Sequence, residues 1–229
     1  MRIVSFGDIH MSLQTIARLA PELGAADLVI LSGDLTNFGG RDDAAQVLAA
    51  TRRHAPNVLA VSGNLDQLEV IDLLRQEGVS LHGESRRCGD VGIFGCGGSN
   101  RTPFHTPTEL TDEEIGLLLE RAYAGVADMH RLLMVCHTPP AHTATDRISS
   151  GQHVGSPTVR AFIEEHQPAV CITGHIHESA GVDRIGRTVV LNAGALRDGG
   201  YIVVDAAADG LRAELCRLSH LRSERTAES

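Results

Sequence analysis

The run AVCITGHIHES (residues 169–179) is an apolar stretch that stops at a glycine and then sets two histidines two positions apart. A β-strand sends residues i and i+2 to the same face, so His175 and His177 converge on one point if the backbone stays extended past Gly174. Two imidazoles aimed at one point suggest a metal. Taken alone, the pair fits two solvated polar residues in a turn equally well, and the rest of the chain has to decide.

Outward from this run the same punctuation recurs. RIVSFGD ends at Asp8, DLVILSGD at Asp34, NVLAVSGN at Asn64 and LLMVCH at His137. Continuous apolar runs of this length read as strands buried on both faces, as in parallel or mixed sheets covered by helices. Helical patterns fill the intervals at 12–21, 41–53, 66–77, 111–125 and 156–167. Alternation of strand and helix predicts a layered α+β (α/β-like) protein. The later runs RTVVLNAG, GYIVVDA and LRAELCRL follow one another with short turns. They predict a second, more antiparallel sheet rather than a second domain, because no linker rich in Pro, Ser or charge precedes them. One domain over residues 1–218 is expected, then a polar, frayed tail over 219–229.

Composition removes several function classes. Net charge is −9 and aromatic residues are 3% of the chain, with no Trp. Non-specific attraction to nucleic acid or to an anionic membrane is opposed by that charge, and base stacking on aromatic platforms has little to draw on. The five cysteines are an odd number without a CxxC pair and read as reduced thiols rather than zinc ligands or disulfides. The N-terminus MRIVSFGDIH lacks the apolar core of a signal peptide, and no run approaches the roughly 18 residues that span a bilayer. A cytoplasmic protein of unknown oligomeric state follows, with no membrane partner.

The polar residues at the strand ends are of few kinds: Asp8 and His10 in GDIH, Asp34 in GDL, Asn64 and Asp66 in GNLD, His137 in CHTPP, His175 and His177 in GHIH. Ligand sites of open sheets form where the chain leaves the carboxyl ends of strands. Five such ends here carry hard or borderline metal ligands. The order D-x-H, GD, GN-x-D, a lone His, GH-x-H resembles the calcineurin-like metallophosphoesterase superfamily. GGSNRTPFHTPTE, HTPP and HVGS are further similar to small single-domain prokaryotic members described as phosphoesterases.

The resemblance implies two facing mixed β-sheets flanked by helices, a four-layer αββα sandwich, with a dinuclear metal site at the sheet edge. It implies that Asp8, His10 and His177 bind one ion, that Asn64, His137 and His175 bind the other, and that Asp34 bridges them. Two divalent ions against two carboxylates leave the site net positive, which suits a phosphodiester monoanion. Mixed His and carboxylate ligands suit Mn, Fe, Zn or Co. The implied reaction is in-line attack of a metal-bridging hydroxide on phosphorus. Nucleotide-like small diesters are the expected substrates; a phosphomonoesterase, a nucleotide pyrophosphatase or a catalytically idle metal-binding scaffold are the alternatives, and a nuclease is disfavoured by the missing basic region.

Many phosphatases of this superfamily carry a histidine after the GN asparagine, thought to help protonate the leaving oxygen; here that residue is Leu65. His105 is the first replacement acid considered, because its loop is long and stiffened by Pro103 and Pro107, with His142 and His153 behind it. Ordinary surface histidine is the competing reading for each. Asp66 either orients a ligand or caps the following helix. Asn64, Arg101, His153 and Ser156 are candidate substrate-binding residues; for Ser156 simple helix capping is the alternative, and for Arg101, as for Arg147 and Arg197, solvated arginine.

Overall fold

A computed structural model describes residues 1–218. The tail expected over 219–229 lies outside the described residues. In chain order the strands are β1 (Arg2–Phe6), β2 (Leu28–Ser32), β3 (Val58–Val61), β4 (Glu84–Cys88), β5 (Val91–Cys96), β6 (Ser99–Asn100) and β7 (Glu109–Leu110). They continue as β8 (Arg131–Cys136), β9 (Val170–Thr173), β10 (Gly181–Ile185), β11 (Thr188–Asn192), β12 (Gly200–Ala207) and β13 (Gly210–Arg217). The helices are α1 (Leu13–Arg18), α2 (Ala20–Gly24), α3 (Arg41–Arg52), α4 (Leu68–Gln76), α5 (Asp112–Ala124) and α6 (Pro157–His166).

Two large mixed sheets result, in the orders β13-β12-β1-β2-β3 and β10-β11-β9-β8-β5-β4. Side-chain alternation explains why their strands read as unbroken apolar runs. Ile3, Ile30 and Val61 of the first sheet pack with Leu133, Val135, Ile172 and Leu191 of the second, filling the space between them. The intervening residues Val4, Phe6, Val29 and Leu31 turn the other way, onto helical residues such as Ile16, Val47 and Leu74. Met134, Cys136 and Cys171 likewise face Ile115, Leu119 and Phe162 on the outer side of the second sheet. Both faces of both sheets are covered, so the layers are helix, sheet, sheet, helix.

Two expectations change, and one strand goes beyond them. The late strands do not make a sheet of their own. β12 pairs antiparallel with β1 and extends the first sheet, while β11 pairs parallel with β9 and extends the second. The short turns gave no hint that the chain crosses between sheets, which it does over residues 193–199, between β11 and β12. The helix expected over 12–21 is broken at Leu19 into α1 and α2, with Pro21 in the first turn of α2, where its missing N–H costs nothing. β4, with the polar sequence ESRRC, carries no apolar signal; it is an edge strand paired only with β5, and half of such a strand stays wet.

Candidate metal centre and substrate cleft

The carboxyl ends of the parallel strands β1, β2, β3, β8 and β9 lie at one end of the sandwich, and the loops leaving them carry every residue expected to bind metal. Asp8, His10, Asp34 and His177 offer ligand atoms that all lie within 4.8 Å of one another. His177 Nε2 stands 3.2 Å from Asp8 Oδ1 and 3.0 Å from His10 Nε2. His137 Nε2 is 3.2 Å from the Asn64 amide oxygen and 3.6 Å from Asp34 Oδ1, and its ring lies edge-on to that of His175 at 5.4 Å. Asp34 thus has one oxygen toward each group. The sevenfold set expected from the sequence is brought together in two adjoining clusters.

The glycines that precede the ligands are there for space. A Cβ on Gly63 would come within 2.1 Å of the Asp34 backbone nitrogen, and one on Gly174 within 2.7 Å of Asp8 Oδ2. Gly33, at φ 106, would press a Cβ to 2.2 Å from His137 Nδ1. Four ligands, Asp8, His10, Asp34 and His175, themselves sit at φ between 45 and 68. Left-handed backbone at non-glycine residues is held only where the surroundings over-determine it, and it gathers at functional sites.

Hydrogen bonds fix the ligands from behind. The His137 Nδ1–H donates to the Ser32 carbonyl at 2.9 Å, which leaves Nε2 for the cluster. The His175 backbone N–H donates to both oxygens of Asp8 at 3.1 Å. The Asn64 side-chain N–H donates to the Thr106 hydroxyl, itself a donor to Glu109, so the amide oxygen is turned inward. Asp66 is neither a cap nor a direct partner of a ligand side chain. Fully buried, it accepts from the backbone N–H groups of Leu35, Thr36 and Gly63, lashing the Asp34 loop to the Asn64 loop. Burial and the nearby Asp34 push its carboxyl up to about 6.

The charge state shows that these residues fit cations. Burial alone lowers His137, yet Asp34 and Asp8 overrule it and raise the imidazole to about 9. A hydrogen bond to Asp8 raises His177 in the same way. Both shifts show that the buried carboxylates favour positive charge beside them. His10 is satisfied by neither course: its Nδ1 is buried without a partner and its Nε2 faces another imidazole nitrogen. A cation between the two nitrogens resolves that contact. His175, lowered to about 4 by burial and His137, keeps the free lone pair that ligation needs.

Asp34, Asn64, His175 and His177 floor a cleft of about 880 Å³. Phe38, Leu65, Pro103, Phe104, Ile148 and Val154 give it an apolar face, and Arg101 and His153 are among its polar lining residues. Arg197 opens instead into a second pocket of about 520 Å³ with Arg18 and Arg217, on the other side of His177. Arg147 lines a third pocket, away from the ligands.

Two expected residues stand away from the cleft. His105, at φ 51, is turned out of its loop and exposed, and the lining passes from Phe104 to Thr106 without it. Ser156 is fully buried; its hydroxyl accepts from Val159 N–H and donates to Asp112, so it caps α6 and touches no cleft surface. Sequence reasoning did not single out Phe38, Phe104, Thr106, Glu109 or Asp146. The only signal within reach was two phenylalanines inside Gly/Asn/Pro/Thr-rich segments, where a hydrophobe has no core to enter.

The sequence model of the calcineurin-like phosphoesterase superfamily domain matches residues 1–207. An uncharacterized protein of Methanocaldococcus jannaschii, MJ1162, is 35% identical over 196 residues, covering 84% of this chain and 87% of its own. Among solved structures, TT1561 of Thermus thermophilus superposes with a TM-score of 0.70 at 20% identity, over 93% of this chain and 97% of that one. A purple acid phosphatase from yellow lupin gives 0.61 at 14% identity, over 95% of this chain and 51% of that one. These two likenesses are of fold.

Proposed function

The chain belongs to the calcineurin-like phosphoesterase superfamily, and from that premise we propose that it is a dinuclear-metal phosphodiesterase of small, nucleotide-like substrates. Asp8, His10 and His177 would hold one ion, Asn64, His137 and His175 the other, with Asp34 between them. When bound, the ions supply positive charge to the phosphoryl oxygens and lower the pKa of water. The mixed imidazole, amide and carboxylate donors favour Mn, Fe, Zn or Co over an all-oxygen magnesium site.

The observation that carries the substrate class is the wall of the cleft. Phe104 is 81% exposed and Phe38 58% exposed, although every other phenylalanine is buried. Leaving a Phe in water forgoes about 2 kcal/mol of burial, and Phe38 also sits at φ 56. Two such residues beside a metal cluster fit a planar ring carried by the substrate. Leu65, whose backbone N–H holds Asp34 at 2.8 Å, adds apolar surface where a histidine would serve a monoester. A diester has an organic group on each side of phosphorus, so one can rest on such a wall while the other leaves; a monoester has only the group that leaves. Five unpaired cysteines, three of them buried, support a reducing, cytoplasmic setting. Among the described residues no helix is long and apolar enough to cross a membrane.

The test is turnover of the manganese-loaded protein on bis-p-nitrophenyl phosphate against p-nitrophenyl phosphate. Preference for the diester is expected. Preference for the monoester would replace this reading with a phosphomonoesterase.

A further inference from the structure

His153 lines the same cleft as Asp34, Asn64, His175 and His177, on the loop that faces the ligands. Its ring is one-third exposed and its Nδ1 lies 2.6 Å from Oδ1 of Asp146, a carboxylate with no exposed surface. Asp146 is built to hold that ring. Its two oxygens also accept from the backbone N–H groups of His142, Thr143 and Gly155 at 2.9 to 3.0 Å, so one carboxylate closes the loop over residues 142–155. Burial pushes the carboxyl up, but His153 and those three N–H groups prevail and hold it below its ordinary value.

An ionised carboxylate only accepts, so Nδ1 of His153 is the donor in this pair. Nε2, on the opposite edge of the ring, has no hydrogen-bond partner among the described residues, and the residue that carries it lines the cleft. A histidine oriented by a buried carboxylate, with its second nitrogen at a reaction site, has the geometry of a proton donor. At the position after Asn64, Leu65 has no proton to give.

We propose that His153, oriented by Asp146, is the general acid that protonates the leaving oxygen; the assignment rests on the phosphoesterase reading above. The bond from phosphorus to the leaving oxygen breaks, its electron pair stays on that oxygen, and the oxygen takes the Nε2 proton of the doubly protonated ring, leaving neutral imidazole with its proton on Nδ1. Water supplies the oxygen of the new bond to phosphorus and releases one proton to solvent. The imidazole regains one from solvent, so the cycle consumes one water and no net proton. Asp146 acts through His153 and is a positioning residue.

A general acid matters in proportion to how poor the leaving group is, and a merely structural residue does not discriminate. The experiment compares two nucleoside 5′-phosphodiesters that give the same nucleotide, one losing p-nitrophenol and one losing methanol. His153→Ala is expected to lower kcat for the methyl ester by about 100-fold or more and to change the p-nitrophenyl ester by about threefold at most. His153→Gln, which keeps a side chain of similar reach, should show the same contrast, and Asp146→Asn a weaker one. Equal losses on both esters, or no loss on the methyl ester, overturns the assignment. If the wild type hydrolyses only monoesters, the diester reading fails while the same contrast, measured on aryl and alkyl monoesters, still tests His153. A wild type that hydrolyses neither class overturns both.

Discussion

The floor of the cleft descends from five strand ends locked into the sheets, whereas most of the wall opposite hangs on two long stretches, residues 97–108 and 138–156. On the floor, ligand backbones are forced into the left-handed region, glycines admit no Cβ, and buried carboxylates are tied by backbone N–H groups. The wall carries exposed Phe104, half-exposed side chains and a buried clasp, Asp146. The floor holds ionisable groups at fixed places, and in the proposed function the wall meets an organic group. Changes to the floor should therefore abolish the reaction, and changes to the wall should select among substrates.

The largest effect is expected from Asp34→Asn. The amide loses the charge shared by the two clusters while keeping the acceptor for Leu65 N–H, so the fold should survive. Metal content after gel filtration should fall to near zero, and kcat by about 10³-fold or more. A variant that retained both metals and activity would erase the distinction between floor and wall, since a buried carboxylate placed between the two clusters would then be dispensable.

This division also marks what could be read in the sequence. That the seven candidate ligand residues gather at one end of the sandwich was legible because they lie just past the ends of five strands, and a strand's direction places what comes next. The layers were legible for a related reason: runs such as LVILS must bury both faces. The destination of β12 and β13 was not legible, because strand pairing is settled by side chains distant in sequence and a short turn does not say which sheet it leads to. His105 illustrates the limit on the wall. Its loop was correctly placed beside the site, yet a single left-handed residue turns its side chain outward and offers Phe104 instead. His153 could be counted among the loop histidines, but its Asp146 partner, seven residues earlier, becomes visible only once the loop closes on itself.

A pH measurement sharpens the comparison at the foot of the wall. His82 is buried and its Nδ1 accepts from the N–H of Gly97, the first residue of the loop that bears Phe104, so the folded ring is neutral. Burial, then Arg75 and Arg121, lowers it from 6.5 to about 4. Between those values the unfolded chain binds a proton that the folded chain refuses. Stability is therefore full above pH 6.5 and declines as pH falls toward 4, by up to about 3 kcal/mol from this residue. His82→Gln keeps an acceptor for Gly97 and removes the titration. Urea unfolding from pH 7 to pH 4 should give a shallower decline for the variant than for the wild type; equal slopes would show that the wall is not anchored through a neutral His82.

The smallest effect, and the one most specific to the wall, is expected from Phe104→Ala. The ring is almost wholly in solvent, so its loss removes little burial and the melting temperature should hold or rise slightly. Stacking of a base on an aromatic side chain is worth about 1–3 kcal/mol, so KM for a nucleoside diester should rise about tenfold or more. For methyl p-nitrophenyl phosphate, whose only ring is the small nitrophenyl leaving group, the rise in KM should be smaller, and metal content should equal that of the wild type. A fall in kcat shared by both substrates, or loss of metal, would mean that Phe104 supports the floor through Thr106 and its bond to Asn64. The two regions would then be one mechanical unit, and the exposed ring would owe its place to the metal site rather than to the substrate.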